Sequence, residues 1–295
     1  MMRSKGKTTG RLEGAIDAAE YLAEVVVNIV GTPRCEICRT NLAAGRRSPF
    51  REPPLESLLC PRCRKLLACG ANRFCPRCAL PVQPGKPCRC AAQGNRWFDE
   101  VRPLSLYTGM ARSLAIGMKH STRHRLAMMM GKLYRDARRR ELDAFRPTCV
   151  AAVPMHWKRQ YLVRRGVNSP AKIAKELAAD LRVPCYSRYL RRVRATPAQT
   201  TVAWTERPNN VRGAFAVHDP KNRAPFMNQR VVLLDDAFTS GATTNEIAHV
   251  LKDAGAAAVF VAPLTRAGLR RSGAAGPDAS NPPEDWEDDL DYYDV

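Results

Sequence analysis

Aromatic residues make up only 7% of this 295-residue chain, and 28 acidic residues stand against 48 lysines and arginines. With 45% hydrophobic residues, the scarcity of rings leaves a core built mainly from Ala, Leu and Val. No apolar run is long enough to cross a bilayer. The best stretch, Ala15 to Val30, is interrupted by Asp17, Glu20, Glu24 and Asn28. Those charges, without a cleavage-site pattern, also argue against a secretory signal. The expectation is a cytoplasmic protein with no membrane span, in which Ala15 to Val30 is an amphipathic helix. Residues 231–246 hold no Gly-Lys-Ser/Thr, which excludes a Walker-type phosphate loop there. His120, His124, His156, His218 and His249 fall at no spacing that suits a ligand set or a catalytic triad.

The charge is unevenly spread. Net charge is +20, and Gly276 to Val295 hold eight acidic and no basic residues, so residues 1–275 carry +28. Such a body attracts polyanions, among them nucleic acid and phosphorylated metabolites. An arginine-rich background with solvated faces explains the same number, so charge alone does not assign DNA binding.

Eleven cysteines in a reducing compartment point to metal rather than to disulfides. Cys35-Glu-Ile-Cys38 and Cys60-Pro-Arg-Cys63 form C-x2-C-x21-C-x2-C, slightly longer than usual zinc-ribbon spacing. Cys75-Pro-Arg-Cys78 and Cys88-Arg-Cys90 supply a second quartet. Each C-x2-C turn presents two thiolates, and two such turns complete a tetrahedron. A segment this poor in large apolar side chains needs the ion to fold. One or two structural Zn²⁺ ions are expected. Pairing in sequence order, cross-braced pairing and a single ion all remain open. Cys69 is spare; Cys149 and Cys185 read as packing residues.

Residues 231–246, VVLLDDAFTSGATTNE, are the most informative stretch. Val231 to Leu234 reads as a strand buried on both faces. Asp235 and Asp236 follow at its carboxyl end, where open α/β sheets place ligands. Ala237, Thr239, Ser240, Gly241, Ala242 and Thr243 can wrap N–H groups and hydroxyls around a phosphate, with a helix from about Thr244 directing its positive end there. The segment resembles the phosphoribosyl-pyrophosphate (PRPP) signature of type I phosphoribosyltransferases. The resemblance implies that the turn holds a 5′-phosphate and that the two acids hold ribose hydroxyls, with Mg²⁺ accompanying PRPP.

Elsewhere, strands are expected at Val101–Tyr107, Cys149–Val153 and Ala257–Pro263. Helices are expected at Ala111–Lys119, Leu126–Leu142, Pro170–Leu181 and Thr244–Ala254, the last ended by Gly255. Residues 182–215 read as an arginine-rich mobile loop containing one strand. The alternation predicts an α/β fold: a parallel sheet with helices on both faces, preceded by a small zinc-ribbon module. The expected segments are 1–32 (basic N-terminus and amphipathic helix), 33–95 (cysteine-rich module), 96–271 (phosphoribosyltransferase-like domain) and 272–295 (disordered acidic tail).

Cysteine pairs ahead of this signature resemble the ComF/GntX family, double-zinc-ribbon proteins with a phosphoribosyltransferase-like domain linked to DNA uptake and use. The resemblance runs from about Pro33 to Arg266. Tyr107-Thr108-Gly109, Lys119, Val153-Pro154-Met155, Arg165-Gly166-Val167-Asn168, Gln199, Arg207, Asn210 and Ala214-Phe215 follow the family's motifs. Val167 and Ser169 depart from its Phe and Gln, and the Gly after the Lys motif is absent. The resemblance implies catalytic roles for Asp235, Asp236, Lys119 and Arg165; the charge that grows on a leaving pyrophosphate makes Arg164 and Lys158 further candidate contacts. The loop around Arg194–Arg212 is expected to close over the site as a lid. The partners implied are PRPP, a nitrogenous acceptor and, as a candidate, single-stranded DNA. Two functional classes follow: a PRPP-dependent transferase, or a nucleic-acid-binding competence factor that keeps the pocket without turnover. An amidophosphoribosyltransferase is excluded, because residues 1–95 offer no N-terminal cysteine nucleophile or glutaminase domain.

Overall fold

The computed structural model describes residues 34–42, 58–68, 74–82, 88, 90, 96–107, 111, 124–155, 169–219, 221 and 224–267. It divides into two compact units, Met1–Arg64 and Lys65–Val295.

In the first unit, residues 34–42 form a knuckle. Arg39 N–H donates to the Cys35 carbonyl (3.0 Å), Cys35 N–H donates to the Thr40 carbonyl (2.8 Å), and Arg34 and Asn41 make an antiparallel bridge. Arg39 closes the turn at φ 61°. Helix α1 (Pro61–Ala68), whose residues from Lys65 on belong to the second unit, begins directly after Cys60, with proline at its first position, where a missing N–H costs nothing.

The second unit is a parallel sheet with helices. Its strands are β1 (Glu100–Val101), β2 (Ser105–Leu106), β3 (Cys149–Ala152), β6 (Arg230–Phe238) and β7 (Ala258–Arg266). The order is β1-β7-β6-β3, and β2 pairs with β7 beyond β1. Every pairing in this sheet is parallel. Val231, Val232, Leu233 and Leu234 are all fully buried, as expected for a strand covered on both faces. Helices α2 (His124–Ala137) and α4 (Ser169–Leu181) pack together, and α4 lies on β3 and β6. Helix α6 (Ala242–Asp253) buries Ile247, Ala248 and Leu251 in the core with Val231, Leu233, Val259 and Val261.

Several expected boundaries move. The strand foreseen at Val101–Tyr107 is two short pieces, β1 and β2, because Pro103 lacks an N–H for the ladder. The helix foreseen at Leu126–Leu142 breaks at Arg138 into α2 and α3 (Arg139–Phe145). Strand β7 runs on past Pro263 to Arg266. The segment read as a mobile loop is built instead. It holds 3-10 turns at Ser187–Tyr189, Gln199–Thr201 and Trp204–Glu206, a short helix α5 (Arg207–Val211), and an antiparallel pair, β4 (Leu190–Arg192) with β5 (Phe215–Val217). Arginines placed for short-range bonding make the difference: Arg194 donates to the Asn210 and Arg212 carbonyls at 3.0 and 2.6 Å. Residues 1–33 and 268–295, and the helix foreseen at Ala111–Lys119 apart from Ala111, lie outside the described residues. Among the described residues, no helix is long and apolar enough to cross a membrane.

Candidate functional site

Two cysteine quartets assemble, and the pairing follows sequence order: Cys35, Cys38, Cys60 and Cys63 in one, Cys75, Cys78, Cys88 and Cys90 in the other. Within each, all sulfurs lie within 4.8 Å of one another. The separations Cys38–Cys60, Cys75–Cys90 and Cys78–Cys88 are 3.7, 3.5 and 3.4 Å. A tetrahedral ion with bonds of about 2.3 Å sets its sulfurs roughly 3.8 Å apart, far beyond any disulfide. Each quartet could therefore hold a zinc ion, and an all-cysteine set leaves no open position for catalysis. Cys149, fully buried in β3, belongs to the core, as its packing role requires. Cys69 lies outside the described residues.

The second quartet is welded into the α/β unit. Its knuckle, 74–82, repeats the first: Phe74 bridges Pro81, Ala79 N–H donates to the Cys75 carbonyl (2.9 Å), and Ala79 sits at φ 57°. Here the left-handed residue joins the main core, with Ala79 0% exposed. Val101 N–H donates to the Pro76 carbonyl at 2.7 Å, and Arg102 donates to the Phe74 carbonyl at 3.2 Å.

Each quartet has one acidified thiol. Bonds from Thr40 hold Cys38 down at about 6. Burial opposes ionisation of Cys75, but the N–H groups of Arg77 and Cys78 outweigh it and bring it to about 7. Burial pushes Cys63 and Cys78 up, and Cys90 up to about 11. At neutral pH the raised thiols of a metal-free quartet thus retain protons that a metal must displace. Zinc added to stripped protein at about pH 7 will release protons, and apparent affinity will fall further as pH drops through about 7 and then about 6, where Cys75 and Cys38 in turn also protonate. Calorimetry in buffers of different ionisation enthalpy reads this directly; heats independent of buffer would contradict it.

The signature segment differs from expectation in one respect. Strand β6 continues through the acid pair to Phe238, because β7 pairs with it along its length, Asp235 opposite Pro263 and Phe238 opposite Arg266. Asp235 and Asp236 therefore lie inside the strand rather than beyond it. Successive side chains of a strand leave opposite faces, so the carboxylates diverge. Asp235 is 8% exposed, and its Oδ1 accepts the Asp236 N–H at 2.9 Å. Asp236 is half-buried, and its carbonyl accepts the Thr265 hydroxyl at 3.0 Å.

The turn then occupies only Thr239, Ser240 and Gly241, and α6 begins at Ala242, two residues earlier than expected. Gly241 caps the helix in the left-handed region, φ 78°, without a side-chain cap bond. A Cβ there would lie 2.5 Å from the Phe238 ring. Ser240 Oγ accepts the Ala242 N–H at 3.3 Å, and the Thr244 hydroxyl donates to the Gly241 carbonyl at 3.1 Å. Ala237, Thr239, Ser240 and Thr243 are half-buried, whereas Gly241 and Ala242 are buried. The turn is accordingly not sealed over.

A cavity of about 330 Å³ opens beside it. Phe238, Thr239 and Ser240 form one wall, and Trp204, Thr205 and Pro208 cover it. Cys78 and Leu80 close a side, and Arg96 and Arg266 contribute the cations. Burial draws both guanidinium groups below their ordinary value, Arg266 to about 10, against the opposing charge of Cys78. The cover is tied to the turn: Arg207 donates to the Thr239 hydroxyl at 3.3 Å and lies 4.9 Å over the Trp204 ring. Gln199 donates to the Arg207 carbonyl, and Asn210 to the Pro197 carbonyl, so these motif residues knit the cover internally.

Lys119, Arg165, Arg164 and Lys158 lie outside the described residues. Sequence reasoning missed Arg96, Trp204 and Arg266 as site residues. Arg266 had a signal: Thr265-Arg266 is the polar carboxyl end of an otherwise apolar strand, where α/β sheets place sites.

No protein-family model matches the chain. It is similar to competence protein F of Haemophilus influenzae, 28% identical over 240 residues, covering 79% of this chain and 97% of that protein. It is also similar to DNA utilization protein YhgH of Salmonella typhimurium, 31% identical over 198 residues, covering 65% and 84%. The protein of that name in Escherichia coli strain K12 is 28% identical over 237 residues, covering 79% and 96%.

Proposed function

The chain belongs to the ComF family, and from that premise we propose that it binds PRPP at the turn 239–243 and transfers its phosphoribosyl group to a nitrogenous acceptor. The observation that carries this reading is a left-handed glycine heading α6 directly after an acid-bearing strand, in a turn open to a cavity. Names of relatives, competence and DNA utilization, support a role in the uptake or use of DNA.

In this reading the N–H groups at the head of α6 and the Thr239, Ser240 and Thr243 hydroxyls hold the 5′-phosphate. Asp236, the more open acid, accepts from the ribose hydroxyls. Asp235 positions it through the bond to its N–H. Mg²⁺, when bound with PRPP, would neutralise the leaving pyrophosphate; the carboxylate oxygen of Asp236 suits such a hard cation. The bond from C1′ to pyrophosphate breaks as the acceptor nitrogen bonds to C1′. The positive charge that grows on the sugar ring is met by preorganised carboxylate, and the cover around Trp204 excludes water. Lys119 and Arg165 remain the proposed pyrophosphate contacts. The cavity beneath Trp204 is the proposed acceptor seat.

The test is a titration with PRPP and Mg²⁺, followed by nucleobase addition and assay of pyrophosphate. Wild type is expected to bind, and Asp236→Asn to lose at least about tenfold in affinity, roughly 1.4 kcal/mol. Absence of PRPP binding by zinc-loaded wild type removes the proposal. The +28 body favours a second reading, a nucleic-acid-binding factor without turnover. It predicts steeply salt-dependent binding of single-stranded DNA, unaffected by Asp236→Asn, with no pyrophosphate released.

A further inference from the structure

We propose that Arg266 ties the second cysteine quartet to the signature turn, with Arg96 bracing that turn, so that metal held by Cys75, Cys78, Cys88 and Cys90 sets the conformation of residues 238–242. Arg266, the last residue of β7, is 5% exposed. Its Nε donates to the backbone carbonyl of Cys78 at 3.1 Å. Its Nη1 donates to the Phe238 carbonyl at 3.1 Å and to the Ala267 carbonyl. One planar fork thus joins a ligand residue of the quartet to the last residue of β6. Its rigid geometry lets both ends register together. The Phe238 ring, 5.4 Å beneath the same guanidinium, is the surface against which Gly241 must close.

Arg96 braces the turn itself. It donates to the Ser240 carbonyl at 3.4 Å and stands 5.9 Å over Phe98, whose ring meets Phe238 edge-on at 6.1 Å. The two cations therefore grip carbonyls on either side of Thr239, the hydroxyl that Arg207 holds from the cover. Four thiolates around a divalent ion carry a net charge of about −2, which favours two guanidinium groups beside it. Without the ion, the Cys78 backbone is no longer fixed through coordination of its sulfur, and its carbonyl no longer anchors the Arg266 fork. Arg266 and Arg96 are positioning residues: they act on an anion through the turn.

The experiment uses the full-length zinc-loaded chain, Cys88→Ser/Cys90→Ser and Arg266→Met. Readouts are zinc per chain, hydrogen exchange of a peptide covering residues 238–247, and PRPP–Mg²⁺ affinity. The double cysteine variant is expected to lose one zinc, with turn exchange at least tenfold faster. Arg266→Met is expected to keep its full zinc complement and show the same acceleration. Protection of α4 reports that the fold survives. If Arg266→Met lacks that protection, Arg266→Lys, which keeps the charge but not the fork, takes its place. Turn exchange within twofold of wild type after the second site has lost its metal overturns the proposal. The affinity readout, expected to fall at least tenfold, rests on the PRPP reading above; the exchange readout does not. A wild type that fails to bind PRPP but shows the exchange response defeats that reading alone.

Discussion

Gly241→Ala is expected to weaken PRPP binding by at least about a hundredfold, roughly 2.7 kcal/mol, while leaving the zinc content unchanged. Two independent costs meet at this position. The backbone sits at φ 78°, where any residue with a Cβ is strained by about 1–2 kcal/mol. The added methyl also arrives 2.5 Å from the Phe238 ring, which is itself only 2% exposed between Phe98 and the Arg266 guanidinium. That ring cannot swing away without disturbing its neighbours, so the turn must open instead. Opening it withdraws the first N–H groups of α6 from the position at which they would converge on a phosphate. The measurement is a calorimetric titration with PRPP and Mg²⁺, beside a control titration with ribose 5-phosphate. Affinity within threefold of wild type for both ligands would show that the turn does not hold the phosphate.

Arg138→Met should destabilise the larger unit by about 3 kcal/mol, lowering the midpoint of thermal unfolding by about 6–12 °C. Arg138 is 0% exposed, the largest wholly buried side chain among the described residues. Its Nε donates to the Pro103 carbonyl at 3.0 Å, its Nη2 donates to the same oxygen, and its Nη1 meets Glu141 at 3.0 Å. The guanidinium also lies 5.5 Å over the Phe74 ring. Methionine fills most of the volume but leaves the Pro103 carbonyl without donors, and it frees the chain between β1 and β2. An unchanged midpoint in a thermal scan would mean that water replaces all three bonds without cost. The companion substitution Glu141→Gln should cost less, because Glu141 is partly exposed and solvent can share its load.

The architecture was readable in the sequence wherever periodicity and burial coincide. Val231–Leu234 announced a doubly covered strand, and Pro170 with its spaced apolar residues announced α4. The C-x2-C pairs announced two quartets, and the open question of pairing resolves in sequence order. Boundaries failed where a distant partner decides them. Nothing local in Asp235-Asp236 shows that β7 will draw them into a ladder, and nothing near Leu126–Leu142 shows that Arg138 must turn inward to reach Pro103. The cover at 199–211 was misjudged for the same reason. Its order comes from Arg207, Gln199 and Asn210 bonding to carbonyls several residues away, which composition reads only as a run of polar residues. The cavity was legible on one side only: the turn followed from its motif, but Arg96 and Trp204 carry no spacing that links them to it.

The paired knuckles at 34–42 and 74–82 share one backbone design, yet their fifth positions after the bridge-forming residue lead opposite lives. Arg39 stands in solvent, whereas Ala79 is locked among core side chains. Twin copies are therefore not exchangeable parts. Transplanting the earlier nonapeptide into the later position would preserve every sulfur but drive a guanidinium into a space sized for one methyl group. Such a chimaera should load its ion and still fail to seat.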